Sequence, residues 1–149
     1  MYKRIILETI SLMLAFLFLY TGASKLIDYD TFKVQIAASP ILENFSGLIA
    51  WLLPLTELIV VALLIIPRFR RWGLYISATL MIIFTIYVAS ILEFSSHLPC
   101  SCGGVLEEMS WRQHLLFNIF FSLLALIACY LERQQSNNGR RNTTTLLFS

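Results

Sequence analysis

Two cysteines one residue apart, Cys100 and Cys102, stand in the stretch SSHLPCSCGGVLEEMSW beside His97, and the runs on either side of it are almost wholly apolar. A disulfide between them would close a very small ring, with the Cα atoms held near the short limit that such bonds allow. So short a loop makes a poor staple, because the entropy removed from the unfolded chain grows with loop length. It makes a good exchanging dithiol, since strained and exposed disulfides are the labile ones. Pro99 stiffens the approach, Gly103 and Gly104 let a partner backbone come close, and a protonated His97 is a candidate thiolate stabiliser. Two other chemistries stay open. The cysteines could pair with another protein or remain inert loop thiols. A metal could also be held by His97, Cys100, Cys102 and His114, although a C-x-C spacing departs from the C-x₂₋₄-C of zinc sites, and we assign no metal.

A second candidate lies in WLLPLTELIV, where Glu57 falls about ten residues into an apolar run. An ionisable group at that depth is costly and marks function by default. Pro54, one turn earlier, frees a backbone carbonyl nearby. Glu57 is therefore a candidate intramembrane proton acceptor, with structural hydrogen bonding between helices as the alternative. The third cysteine, Cys129, lies about 27 Å along its helix from Trp111. It is too far to exchange with Cys100 or Cys102 and reads as a small apolar residue in lipid.

The elements that position these groups follow from composition. Of 149 residues, 58% are hydrophobic and only 13% charged, against about 25% charged in soluble domains. A net charge of +2 with no basic stripe excludes a nucleic-acid binder. Four apolar runs, about 5–26, 47–66, 72–92 and 111–131, meet the roughly 20 residues a bilayer requires. The first extends to Leu26 if Lys25 snorkels to the headgroups. It exceeds the 7–15 residues of a signal-peptide core, so it reads as a span. The expected fold is all-α, a polytopic bundle of four transmembrane helices in one domain, residues 1–132, followed by a cytoplasmic polar tail, 133–149, expected to be disordered.

Lys and Arg set the orientation. Lys3 and Arg4, then Arg68, Arg70 and Arg71, then Arg133, Arg140 and Arg141 place three segments inside, and both termini with them. The segments holding Lys25 with Lys33, and Arg112, fall outside, which puts the Cys-Ser-Cys loop on the oxidising face. Within the first outer segment, Tyr29, Phe32 and Ile36 recur at helical spacing, Asp28 or Asp30 can cap the start and Pro40 ends the pattern. This predicts a short amphipathic helix, a candidate lid. Ser110 and Gln113 form a capping box opening the fourth span, with Trp111 at the interface. Glu8 is expected to pair with Arg4 one turn back.

These motifs carry a resemblance. LYTGASKLIDYDTFKVQI with Gly22 and Lys25, LLPLTELIVVALLI with Pro54 and Glu57, and PCSCGG followed by SWRQHLLFNIF resemble the MauE-like branch of the DoxX group, small four-helix bacterial membrane proteins named for methylamine utilisation. The resemblance runs from Leu7 to about Leu131, with Gly103 standing where the family often has Phe. It implies a bacterial inner-membrane protein in periplasmic thiol-disulfide exchange, with Cys100 and Cys102 as the redox pair. The implied partner is a periplasmic thioredoxin-like protein or a disulfide-containing client. Electrons from such a pair pass to that partner or to a membrane quinone, which would need a proton acceptor and an aromatic pocket. The competing classes are a non-enzymatic scaffold or assembly subunit that docks a periplasmic partner, and a small transporter built on Glu57.

Overall fold

The computed structural model describes residues 2–37, 43–94 and 110–147, all of the regular structure helical. Its elements are α1 (Tyr2–Ile27), α2 (Tyr29–Ala37), a 3₁₀ turn (Glu43–Phe45), α3 (Ser46–Ile65), α4 (Arg70–Phe94) and α5 (Trp111–Leu147). The four long helices are each long and apolar enough to cross a membrane. Large side chains such as Leu12, Phe16, Trp51, Ile83, Phe120 and Leu123 are exposed on their outer faces. Soluble monomers do not carry apolar surface of that extent, so the surface is a lipid-facing one and the chain is a multi-pass membrane protein.

The helices run up and down in a closed ring, α1 against α3, α3 against α4, α4 against α5 and α5 back against α1. The core is built from small and medium apolar side chains. Leu7, Leu14, Phe18, Val60, Leu64, Leu74, Ala125 and Ala128 are almost wholly buried, and alanines on α5 let its backbone approach closely, as helix packing in lipid favours. That core fills the half of the bundle nearer the α3–α4 corner, where the chain turns at Pro67 through Ile66 N–H to the Ala62 carbonyl and Phe69 N–H to the Ile66 carbonyl.

The same end carries a charge network. Arg4 Nε donates to Glu8 at 3.0 Å, as the spacing led us to expect. Arg70 of α4 adds ion pairs to Glu8 at 3.9 Å and to Glu132 of α5 at 3.7 Å, and Lys3 donates to Gln134 at 2.8 Å. Three helices are thus tied together by groups of which the sequence connects only Arg4 and Glu8, as i,i+4 neighbours. Each exposed pair is weak alone; the gain is register.

At the opposite end, α2 follows α1 after a one-residue break at Asp28, whose carbonyl accepts the Phe32 N–H at 3.0 Å. Phe32 and Ile36 are buried with Ala50 against α3, and Tyr29 stacks on Trp51 with ring centroids 5.4 Å apart. The amphipathic helix expected from the Tyr29, Phe32, Ile36 spacing is present; its terminator Pro40 lies outside the described residues. The capping box also forms. Ser110 N–H donates to Gln113 Oε1 at 2.9 Å and Gln113 N–H to Ser110 Oγ at 3.4 Å. Ser110→Ala is expected to cost about 1 kcal/mol, measured as a lower unfolding midpoint in detergent with unchanged helix content.

α5 continues as helix to Leu147, through most of the segment 133–149 that its composition marks as a polar tail. A helix already nucleated in the membrane extends at one hydrogen bond per residue and escapes the nucleation cost that an isolated polar segment would face.

Candidate functional site

Glu57 and Lys25 meet inside the bundle. Lys25 Nζ donates to Glu57 Oε1 at 2.8 Å and to Oε2 at 3.1 Å, so one ammonium engages both carboxylate oxygens. The Glu57 side chain is 1% exposed and that of Lys25 15%. Lys25 Nζ also reaches the Thr21 carbonyl at 3.4 Å and lies 5.7 Å from the centroid of the Phe32 ring. The ammonium is therefore held between a carboxylate below and an aromatic face above, supplied by the short helix α2. That gives the expected lid a specific part, since Phe32 covers the pair.

The snorkelling of Lys25 to the headgroups is thereby corrected. In an α-helix the Cα–Cβ bond tilts toward the N-terminus. Lys25 is two residues from the end of α1, so its stem leans back into the bundle, and Glu57 waits at the depth it reaches. Snorkelling would have required the chain to reverse that tilt and leave a buried carboxylate alone.

Gly22 makes the approach possible. A Cβ at that position would stand 3.3 Å from Glu57 Cβ and 3.4 Å from both Glu57 Oε2 and the Pro54 carbonyl oxygen. With hydrogen in place of a side chain, α1 packs directly on the turn of α3 between Pro54 and Glu57. Pro54 is itself fully buried, and its ring denies the Ala50 carbonyl its usual i+4 donor. Gly22, Lys25, Pro54 and Glu57 thus form one constellation, although they come from two separated stretches.

Further polar side chains lie on α5. His114, Asn118 and Ser122 recur every four residues and share one face. Ser122 Oγ and Thr85 Oγ1 of α4 are 3.0 Å apart, Asn118 is 5% exposed, and His114 is close enough to Lys25 to feel its charge. Neither Asn118 nor Ser122 was picked out from the sequence, because one amide and one hydroxyl in a span of Leu, Ile and Phe carry no signature. Their i,i+4 spacing with His114 was the available signal. Cys129 is half-buried against the core beside α5's last apolar turns, consistent with a small apolar packing residue. The remaining candidates, His97, Cys100 and Cys102, lie outside the described residues. Phe94 and Ser110, the described residues on either side of them, lie at the end of the bundle that also holds Lys25 and α2.

With the four apolar spans and the Gly22, Lys25, Pro54 and Glu57 constellation described, the chain was compared with protein families. The family described as methylamine utilisation protein MauE matches residues 3–131. The chain belongs to the MauE family. It is accordingly a membrane protein associated with methylamine utilisation. The MauE match runs from the first span into the fourth and includes Lys25, Glu57, Cys100 and Cys102. No curated protein and no solved structure matches the chain significantly.

Proposed function

We propose that this MauE-family protein carries out thiol-disulfide exchange at the periplasmic face of the bacterial inner membrane, with Cys100 and Cys102 as the exchanging pair. The observation that carries the proposal is that the MauE match spans a segment holding two cysteines one residue apart, whose thiols are the groups there suited to disulfide exchange. In the exchange a thiolate attacks a partner disulfide and a mixed disulfide resolves. The sulfur–sulfur bond passes one way, and two electrons with two protons pass the other. His97 stabilises the thiolate when protonated. A thioredoxin-like periplasmic protein, or a disulfide-containing client, is the partner.

The membrane-embedded part supplies the frame. Positive charge at Lys3, Arg4, Arg68, Arg70 and Arg71 favours keeping that end in the cytoplasm, both termini with it. The segment between Phe94 and Ser110 then faces the periplasm. The network of Arg4, Glu8, Arg70 and Glu132 at one end and the Lys25–Glu57 pair under α2 at the other hold the spans in register beneath it.

Thiol trapping tests this with a membrane-impermeant alkylator. In intact cells Cys100 and Cys102 are expected to label after reduction, and Cys100→Ala or Cys102→Ala is expected to trap a mixed disulfide with a periplasmic protein while client disulfides accumulate incompletely. Labelling only after lysis would reverse the orientation. A pair that never forms a mixed disulfide, and whose loss leaves client disulfides intact, would leave the scaffold reading in its place.

A further inference from the structure

We propose that the corner between α3 and α4 binds the headgroup of an anionic phospholipid, with Arg68 and Arg71 holding its phosphate and Trp72 set against its glycerol and upper acyl chains. The starting observation is how three neighbouring arginines divide. Arg70 turns inward, its side chain 20% exposed, and makes ion pairs to Glu8 and Glu132. Arg68 and Arg71 are exposed, and among the described residues neither has a carboxylate within ion-pair distance. The acids packed at this end, Glu8 and Glu132, are already engaged by Arg4 and Arg70. The outward charge of the corner is therefore left uncompensated by the protein.

The second observation is depth. The apolar span of α3 ends at Ile65 and that of α4 begins at Arg70. Arg68 lies in the turn between them and Arg71 one residue into α4, so both guanidiniums stand where hydrocarbon gives way to headgroups. Arg71 is also held in place: its guanidinium carbon lies 6.0 Å from the centroid of the Tyr75 ring, one turn along α4, within cation–π range. Trp72, Phe69 and Ile66 are exposed beside it, and tryptophan at this depth favours the membrane–water boundary.

The chemistry of the corner selects its occupant. Guanidinium groups match phosphate oxygens through several N–H donors in one fixed plane. Inorganic phosphate or an acidic peptide would answer the charge but leave Trp72, Phe69 and Ile66 uncovered. A zwitterionic lipid would cover those side chains but bring a cation of its own to Arg68 and Arg71. An anionic phospholipid does both, its phosphodiester on the arginines and its chains along the exposed apolar faces of α3 and α4. Basic clusters directly at the end of a span attract anionic lipid in this way. A lipid bound there braces the corner at which Gly73 packs on the backbone of Leu63 and Leu64, since a ligand that binds only the folded bundle stabilises it. None of this rests on the cysteines or on the exchange proposed for them.

The test uses Trp72 as its reporter. The chain has three tryptophans, and Trp51 and Trp111 lie toward the other end of the bundle, so Trp51→Phe/Trp111→Phe leaves only Trp72. This full-length protein is placed in phosphatidylcholine nanodiscs containing rising fractions of phosphatidylglycerol brominated near the headgroup. Phosphatidylglycerol is expected to quench Trp72 well beyond its mole fraction, and brominated phosphatidylcholine only in proportion to it. Arg68→Gln and Arg71→Gln should each weaken that preference about fivefold, and together about 30-fold. Lys33→Gln/Arg112→Gln removes the same charge at the other end and should leave the preference unchanged. Phosphatidylglycerol should also raise the unfolding midpoint of the wild type but not that of Arg68→Gln/Arg71→Gln, whose midpoint in phosphatidylcholine alone should match the wild type because both side chains are exposed. Equal quenching by the two lipids overturns the inference, as does a preference that survives in Arg68→Gln/Arg71→Gln or falls equally in Lys33→Gln/Arg112→Gln. Relief of the quenching by an equal concentration of inorganic phosphate would make a free anion the occupant and overturns it as well.

Discussion

Lys25→Met is expected to destabilise the bundle by about 3–5 kcal/mol, the cost of leaving a buried charge without its partner. Glu57→Leu leaves the ammonium stranded and should cost a similar amount. The informative variant is the double substitution. Glu57 at 1% and Lys25 at 15% side-chain exposure are removed from water, and an apolar pair of similar volume avoids both desolvation costs. Lys25→Met/Glu57→Leu should therefore recover most or all of the stability lost by either single change. Unfolding midpoints in detergent, arranged as a double-mutant cycle, measure the coupling directly. If the two single losses simply add in the double variant, the contact seen between these side chains contributes nothing to the fold.

Gly73→Ala is the second large effect, and its sign runs against propensity. In an exposed helix interior the change stabilises by about 1 kcal/mol. Here the new Cβ would lie 2.9 Å from the Leu64 backbone nitrogen, 3.0 Å from the Leu63 carbonyl carbon and 3.1 Å from Leu63 Cβ. Two of those three neighbours are backbone atoms of α3, which yield only if the α3–α4 corner opens. Overpacking of a well-filled interior costs about 1–3 kcal/mol, and we expect a net loss of about that size. Gly47→Ala is the control: the nearest atom to its Cβ is the flexible Lys33 Cε at 4.0 Å, so stability should stay level or rise. Equal midpoints for Gly73→Ala and wild type would mean that the corner is loosely packed.

Much of the architecture was legible because lipid leaves few alternatives. Four runs of about 20 apolar residues can only be helices, and α2 and the Ser110–Gln113 box followed from the placement of single side chains at period 3.6 or at capping positions. The site was half legible. Glu57 drew attention as a carboxylate in an apolar run, and Lys25 was noticed, but the two were assigned different fates. Joining them required the register between α1 and α3 and the direction of the Lys25 Cβ, and neither is written in composition. Asn118 was invisible for the same reason, since its burial becomes apparent only when the helix packed against it is known. The Arg70 contacts to Glu8 and Glu132 are likewise products of three-dimensional register.

The link between Lys25 and Glu57 also bears on how the chain enters the membrane. Lys25 precedes Glu57 by 32 residues, so when α3 leaves the translocation machinery its carboxylate meets a cation that is already in place. Partitioning α3 as an anion would oppose insertion by several kcal/mol; docking on α1 neutralises it at once. The first three helices can thus reach the bilayer as a charge-balanced intermediate, before α4 and α5 have been synthesised. The later hairpin then closes the ring by seating the inward face of α5 on a half-bundle whose electrostatics are already settled.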